Sequence, residues 1–132
     1  MASMEETFIE QWRTAAESND HAGVKALLAD EVTLYSPAVF KPAADRAYVE
    51  HILEFVAESI EGFHYIETYT QPGGAAMIFR GTIQDKTIEG VDFFKLDASG
   101  RVTELKVMLR PLNAAGMLAQ SIMQKFAALN AS

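Results

Sequence analysis

The pattern of apolar and polar positions divides the chain into a mostly helical first half and a second half of strands. In the first half, apolar residues recur every three or four positions in three segments, the spacing of helices with one buried face. Residues that can cap a helix precede these segments, and they are Ser3, Asp20 and Asp45. Ser3 and Glu6 form a capping-box signature, and the first helix is predicted to run to about Asn19. The period of two over residues 32–36 predicts a strand between the second and third helices.

The second half contains four runs of residues typical of strands, each separated from the next by a turn signal. The runs cover residues 63–71, 75–84, 87–96 and 101–110. Because the links between them are short, consecutive strands are expected to pair antiparallel. A last helix, capped by Asn113, has an apolar stripe on one side and almost no charge on the other, so we expect it to make contacts on two sides. This order predicts one α+β domain, residues 1–132, with helices packed on one face of the sheet.

Composition and charge narrow the classes of partner. The formal net charge is −7, which disfavours binding to nucleic acid or to anionic membranes. The absence of cysteine excludes thiol nucleophiles, disulfides and cysteine zinc sites and fits a reducing cytoplasm. No apolar run approaches the roughly 20 residues of a membrane span, and the start, MASMEETFIEQW, is acidic where a secretory signal is basic. We expect a cytoplasmic protein with no nucleic-acid partner and no membrane partner.

No cofactor or metal motif is found in the sequence. The three histidines share no ligand spacing of the HxH or HExxH kind. The Gly73-Gly74 pair is turn chemistry and does not belong to a phosphate-binding loop. We therefore expect neither a cofactor nor a metal.

The segment IEGVDFFKL, residues 88–96, alternates like a strand but carries Asp92 where an apolar residue is expected. If Asp85-Lys86 is a two-residue hairpin loop, Asp92 lies opposite Phe79 on an apolar face. An isolated carboxylate surrounded by hydrocarbon loses solvation, so its pKa should rise and the protonated acid becomes a hydrogen-bond donor or a general acid. Two alternatives stay open. Asp92 is a structural acid bonded to a Tyr hydroxyl, the Trp indole or a backbone amide, or a register shift of one residue turns it outward.

Two neighbouring features depend on the same hairpin geometry. In the register just given, Gly81 and Gly90 lie side by side and leave room beside the acid for a ligand or for a bend of the sheet. His64 and Tyr65 alternate on the preceding strand, and the length of the loop after residue 71 decides which of them faces inward. A two-residue loop places His64 opposite Gly81 on the pocket side, where it could act as an acid or a base.

Several stretches of the sequence together resemble one group of proteins. They are Trp12 in the first helix, ALLADEVTLYSP, VDFF and LDASGRVTELKVMLRP. Over nearly its whole length the chain resembles the nuclear transport factor 2-like superfamily, in particular its SnoaL-like branch. The resemblance implies a cone-shaped, strongly curved antiparallel sheet wrapped around the N-terminal helices, with a C-terminal helix. It also implies an apolar pocket at the open end and often a dimer through the outer side of the sheet.

The resemblance assigns roles to single residues. As in ketosteroid isomerases, Asp92 stands at the position of an acid that stabilises an oxyanion, Trp12 at that of its tyrosine partner, and Ser36 at that of the base. Serine is not a comparable base, so steroid isomerisation by that mechanism is not implied. The acid and base positions of the polyketide cyclases fall on Phe94 and residues 106–108, which are unsuited to the role, and the Asp-Arg-Asp set of the epoxide hydrolases is also incomplete. The superfamily implies a fold more strongly than a reaction.

These considerations predict a site. Ser36 matches the base position, so we expect it to face the pocket and its neighbour Tyr35 to lie at the rim or at an interface. The predicted catalytic residues are Asp92, His64 and Ser36. The predicted ligand-binding residues, which are plain core if no pocket is present, are Trp12, Tyr35, Tyr48, Phe55, Met77, Phe79, Phe94, Val107 and Leu109.

The favoured function is binding of a small, mostly apolar molecule that carries a carbonyl group, with Asp92 as hydrogen-bond donor. An enzyme of this kind would transfer protons in an isomerisation, cyclisation or dehydration, with His64 or a water on Ser36 as the base. The alternatives are a non-catalytic carrier or sensor and an interaction module whose pocket is filled by its own side chains. A homodimer is expected through the outer sheet face, where apolar residues alternate with charges of both signs.

Overall fold

The computed structural model describes residues 2–131, so the terminal residues of the predicted 1–132 domain lie outside it. The helices are α1 (Met4–Glu17), α2 (His21–Ala26), α3 (Arg46–Ser59) and α4 (Leu112–Ala131). The strands are β1 (Leu28–Tyr35), β2 (Glu61–Gln71), β3 (Gly74–Ile83), β4 (Lys86–Leu96) and β5 (Val102–Arg110). None of the helices within residues 2–131 has the length and apolar character needed to cross a lipid bilayer.

The five strands form one open sheet in the order β1-β5-β4-β3-β2. Strands β2 to β5 pair antiparallel, as their short links predict, because a tight turn reverses the chain between neighbours. Strand β1 instead runs parallel to β5, so the sheet is mixed and the prediction of an entirely antiparallel sheet is wrong in this one pairing. The long connection from β1 through α3 and the meander makes the parallel pairing possible. The predicted α+β class, with N-terminal helices and a C-terminal helix, is confirmed.

Local signals set most of the helix starts. The Ser3 and Glu6 side chains each bond the other's backbone N–H at 3.1 Å, and Asp20 and Asp45 cap α2 and α3. The last helix differs from the prediction, because it begins at Leu112 and Asn113 lies inside it. Ala114 donates its backbone N–H to the oxygen of Pro111, so the first turn starts at the proline, a residue suited to helix starts.

The hairpin of β3 and β4 is displaced by two residues from the predicted register. Gln84 and Asp85 form the loop between β3 and β4, with φ of 48° and 67°, so Asp92 pairs with Met77 rather than Phe79. On its other side Asp92 pairs with Val107. A shift of two residues keeps every side chain on its predicted face, because faces alternate with period two. Asp92 accordingly points to the inner, apolar side of the sheet.

The helices cover the inner face unequally. Helix α1 lies against β2 and β3, and the rings of Phe8 and Trp12 each contact Phe94 with centroids 4.9 Å apart. Helices α3 and α4 pack on each other, and Phe55 meets Phe126 at 4.9 Å. A cavity lies between these helices and the inner face of the sheet.

Candidate functional site

A cavity of about 650 Å³ lies between the helices and the inner face of the sheet. This volume is in the range of small-molecule sites. The residues that β2 to β5 contribute to its wall are Phe63, Tyr65, Phe79, Asp92 and Val107. The helices add mostly apolar side chains, and the loop of residues 36–45 forms one side of the mouth. Because this open space reaches Asp92, the hypothesis of a pocket filled by the protein's own side chains is wrong.

Asp92 is buried in the cavity wall, with 7% of its surface exposed. The Tyr65 hydroxyl donates a hydrogen bond of 2.6 Å to its Oδ2 atom. The indole N–H of Trp12 in turn donates to the Tyr65 hydroxyl oxygen at 2.8 Å. A chain of two buried hydrogen bonds therefore runs from α1 through β2 to β4. The alternative in which Asp92 is bonded to a Tyr hydroxyl therefore matches the contact with Tyr65. The Trp12 indole bonds Tyr65 and not Asp92.

Burial governs the ionisation of this pair. Loss of solvation raises the pKa of Asp92 to about 7, and the hydrogen bond from Tyr65 opposes this rise. The pKa of Tyr65 lies well above its ordinary value, first because of burial and then because of the neighbouring Asp92 charge. Tyr65 thus remains a donor at neutral pH while Asp92 is present in both forms. The Oδ1 atom of Asp92 has no hydrogen-bond partner within residues 2–131.

The face of β2 is set by a bulge. The β2–β3 loop has two residues, Pro72 and Gly73, and regular pairing from it would place His64 on the inner face. A register shift between Tyr65 and Glu67 reverses this, because Tyr65 pairs with Phe79 on the inner face. His64 is exposed on the outer face opposite Arg80, and its Nδ1 lies 2.8 Å from the Gly62 oxygen. The prediction of an inward His64 is therefore wrong.

The end of β1 separates the next pair of candidates. Ser36 lies in the cavity wall, where its hydroxyl oxygen accepts the Ala38 N–H at 3.1 Å. Tyr35 lies on the outer side of the sheet, where Lys106 sits 5.3 Å above the centre of its ring. The inclusion of Tyr35 among the ligand-binding residues is wrong, because consecutive strand residues point to opposite faces.

The predicted ligand-binding residues fall into two groups. Those in the cavity wall are Trp12, Tyr48, Phe79 and Val107. Those outside it are Tyr35, Phe55, Met77, Phe94 and Leu109. Met77 and Phe94 face inward as predicted, but α1 covers this part of the sheet and they are packed in the core. Phe55 packs on Phe126 between α3 and α4. The sequence identified the apolar face but not how far along the sheet the cavity extends.

The space beside Gly81 and Gly90 is filled by other side chains and backbone of the protein. Gly90 pairs with Phe79, not with Gly81, and a Cβ on Gly90 would lie 2.8 Å from a Leu109 methyl carbon and would also meet the Phe79 ring. A Cβ on Gly81 would meet the Ile60 side chain. The prediction that the glycines lie side by side and leave space beside the acid is therefore wrong.

Sequence reasoning missed three parts of the cavity wall. They are the mouth loop beyond Ser36, helix α2, and helix α4, which contributes Leu118, Ile122, Met123 and Phe126. The nearly uncharged second side of α4 was the available signal, because a helix that contacts the core on one side and a cavity on another needs apolar residues on both.

The two carboxylates that α3 contributes to the cavity wall, Glu50 and Glu54, are paired with basic residues. Lys25 lies 3.6 Å from Glu54, and both line the wall. Arg46 bonds Glu50 at 2.9 Å and Asp30 at 2.6 Å, which joins α3 to β1. In the part of the chain that the structure covers, no group of three or more His, Asp or Glu side chains could hold a metal ion. Asp92 is thus distinguished from the other wall carboxylates by its burial without a basic partner.

Neither the protein-family models nor the curated proteins contain a match to this chain. Its structure is similar to that of a steroid delta-isomerase from Pseudomonas aeruginosa, with a TM-score of 0.91, 22% identity, and coverage of 100% of this chain and 98% of that one. An uncharacterised protein with a cystatin-like fold from Silicibacter pomeroyi has a TM-score of 0.84 and 23% identity, and the match covers 89% of this chain and 84% of that one. A proposed SnoaL-like polyketide cyclase from Shewanella putrefaciens has a TM-score of 0.69 and 16% identity, and the match covers 90% of this chain and 88% of that one.

Identities this low establish the fold and leave the activity open. Isomerase, cyclase-like and nuclear transport factor 2-like structures all appear among the similar ones. The chain therefore has the cystatin-like α+β fold of the SnoaL-like and nuclear transport factor 2-like proteins, which confirms the fold that the sequence resemblance implied.

Proposed function

We propose that this protein binds a small, mostly apolar molecule that carries a carbonyl group, and that Asp92 exchanges a proton with it. One observation carries the proposal: a buried carboxyl in an apolar cavity wall has one oxygen bonded to Tyr65 and the other unbonded within residues 2–131. An apolar ligand gains free energy from leaving water, and its carbonyl oxygen needs a donor in the cavity. Protonated Asp92 is such a donor.

The pKa of Asp92 supports proton transfer in particular. With a value of about 7, both the acid and the carboxylate are present at neutral pH. In a ligand with a C=C bond one carbon further along, the carboxylate form can remove a proton from the carbon between this bond and the carbonyl group, and the acid so formed can return the proton to the far carbon of the resulting dienolate, which moves the C=C bond next to the carbonyl group. The net change is an isomerisation in which one C–H bond breaks and another forms. The isomerase with a similar fold is consistent with this class of chemistry.

The surrounding residues have supporting roles in this proposal. Tyr65 holds one carboxyl oxygen of Asp92, and Trp12 holds the hydroxyl of Tyr65. His64 is no longer a candidate base, because it faces away from the cavity. Ser36 remains in the wall, and its hydroxyl hydrogen is free to bond a ligand or a water since its oxygen accepts from Ala38.

A second candidate is a carrier or sensor that binds the same ligand without turnover. The observation that favours it concerns the sheet side of the cavity. Among the described residues that β2 to β5 place in the wall, Tyr65 is the only ionisable group besides Asp92, and its raised pKa keeps it protonated. In this function Asp92 orients the ligand through one hydrogen bond.

The two functions are separated by binding and exchange measurements on one set of ligands. Thermal-shift and native mass-spectrometric screens would use steroids, aromatic polyketides, terpenoids and fatty acids, so that carbonyl-bearing apolar compounds are compared with others. Any bound ketone is then incubated with the protein in D₂O, and deuterium uptake at the adjacent carbon is followed by NMR. The matched variants are Asp92→Asn and, as a control in an exposed loop, Asp97→Asn.

An enzyme should catalyse the uptake, and Asp92→Asn should slow it by about 100-fold or more while Asp97→Asn leaves it unchanged. A carrier should bind without uptake and lose no more than about tenfold in affinity, or 1.4 kcal/mol, in Asp92→Asn. If no carbonyl-bearing compound binds more tightly than its hydrocarbon analogue, both functions are excluded.

We also propose that the partner in solution is a second copy of the chain, bound through the outer sheet face. Tyr69, Phe93 and Met108 are 57%, 40% and 52% exposed there. Flanking charges are already paired within the face, with Arg80 bonded to Glu89 at 2.9 Å. The chain carries a net charge of −7, so a face with exposed apolar groups and balanced charge is the surface best suited to self-association.

A reducing, cytoplasmic location is proposed on the absence of cysteine.

A further inference from the structure

Helix α1 contacts the β2–β3 hairpin through two carboxylates. Glu5 accepts the backbone N–H of Gly73 in the hairpin loop at 3.0 Å. Glu17, at the other end of the helix, accepts the backbone N–H of Tyr65 at 2.8 Å. Strand β2 is an edge of the sheet, where backbone groups lack a partner strand on one side. The two glutamates therefore make similar bonds to the same hairpin at separate positions.

The bond from Tyr65 to Glu17 lies where the strand register changes. Tyr65 pairs with Phe79 and Glu67 pairs with Ile78, so Ile66 is the extra residue of the bulge. Without this extra residue, Tyr65 would point to the outer face and its hydroxyl could not reach Asp92. The backbone of Tyr65 is thus fixed at the position that determines the direction of its side chain.

We propose that Glu17 is a positioning residue for the candidate site, and that it holds the Tyr65 backbone so that the Tyr65 hydroxyl reaches Asp92. Trp12 of the same helix bonds the hydroxyl of Tyr65, so α1 holds this residue at both its backbone and its side chain. The consequence for ligand chemistry rests on the proposed function of Asp92. The positioning itself is a property of the free protein and is measured without a ligand.

Two NMR signals report on the hydrogen-bond chain. Trp12 is the single tryptophan of the sequence, so its indole N–H gives one unambiguous signal. The carboxyl ¹³C signal of Asp92, followed over pH, gives the pKa of that residue. Tyr65→Phe removes the hydroxyl and defines the values of both signals when the chain of bonds is broken. In this variant the pKa of Asp92 should rise, because the lost bond stabilised the carboxylate.

The test compares three substitutions at Glu17. Glu17→Met removes the acceptor while keeping the length of the side chain, Glu17→Asp retracts the carboxylate by one methylene group, and Glu17→Gln retains an acceptor oxygen. The matched control is Glu5→Met, which removes the corresponding bond to Gly73 far from the bulge. Circular dichroism establishes that each variant folds, and Glu17→Asp serves if Glu17→Met does not fold.

We expect Glu17→Met and Glu17→Asp to shift the Trp12 signal and the pKa of Asp92 toward the Tyr65→Phe values, by at least half of the full change for Met. Glu17→Gln should restore the wild-type values, and Glu5→Met should leave both unchanged even if it lowers stability. The inference is overturned if the Glu17 variants keep both signals at wild-type values, or if Glu5→Met moves them as much. Neither outcome depends on a ligand, so failure of the proposed function is observed separately, in the exchange measurements.

Discussion

The hydroxyl of Tyr65 donates a 2.6 Å hydrogen bond to Oδ2 of Asp92 across the inner face of the sheet. Because Tyr65 remains protonated, Oδ2 always accepts its hydrogen bond. When Asp92 takes up a proton, the proton is therefore placed on Oδ1. The geometry therefore separates the two oxygens of one carboxyl group: one is held by the protein and the other is available to a ligand.

The raised pKa of Asp92 predicts how stability depends on pH. The carboxyl has a pKa near 3.8 when unfolded and about 7 when folded, so the folded state binds more protons between these values. The free energy of unfolding should therefore fall as pH rises from 4 to 8, by about 4 kcal/mol from this group. Urea denaturation of wild type and Asp92→Asn at several pH values measures the contribution, because the amide cannot ionise. Parallel pH profiles would contradict a buried, titrating Asp92.

Asp97 provides a control of opposite sign for the same measurement. Its exposed carboxylate accepts the backbone N–H of Arg101 and then the hydroxyl and backbone N–H of Ser99, which lowers its pKa. The stabilisation is present above the unfolded pKa and is lost as pH falls through the folded value. The difference in the free energy of unfolding between wild type and Asp97→Asn should consequently shrink toward low pH. The corresponding difference for Asp92→Asn should instead change above pH 4.

Tyr65→Phe should destabilise the fold by about 1–3 kcal/mol, because the Trp12 indole and Oδ2 of Asp92 both lose their partner in a buried place. The single tryptophan also makes its fluorescence a direct probe of the unfolding transition. Tyr69→Phe is the matched control, since Tyr69 is on the same strand but exposed on the outer face. If both variants lost the same free energy of unfolding, the buried hydrogen bonds of the Tyr65 hydroxyl would make no special contribution to stability.

Gly90→Ala should destabilise the protein by about 1–3 kcal/mol, because the new methyl group would lie 2.7 Å from the Met108 carbonyl oxygen and against the Phe79 ring. Gly116→Ala in α4 is the counterpart, with nothing within 4 Å of the added carbon. It should stabilise the helix by about 0.5–1 kcal/mol. Thermal unfolding of both variants measures the contrast, and a stabilising Gly90→Ala would mean that the strand pairs differently there.

The proposed dimer predicts that mass depends on concentration. Static light scattering should show a dimer at high protein concentration, and Met108→Glu or Phe93→Glu should give a monomer because each places a charge in the apolar part of the outer face. Phe40→Glu, on the exposed mouth loop, should leave the dimer intact. A wild-type monomer at the highest concentration measured would exclude the interface.

Local signals in the sequence were sufficient for most of the elements and for the face of Asp92. The starts of α1, α2 and α3 follow from caps a few residues away, and the limits of β2 to β5 follow from turns, so neither needs the tertiary structure. The register of the β3–β4 hairpin was displaced by two residues, yet Asp92 stayed on the predicted face because faces repeat every second residue. The alternation of the strand thus determined where the acid points despite an incorrect loop.

Only the tertiary structure decided which residue accompanies that acid. A bulge selects Tyr65 over His64, and the backbone bond at the bulge comes from Glu17, 48 residues away in the sequence. Similarly, Met77 and Phe94 are core rather than cavity wall because α1 covers them. Alternation along a strand is a local property and can be read from the chain, whereas a one-residue bulge and the position of a helix over a sheet depend on contacts between distant segments.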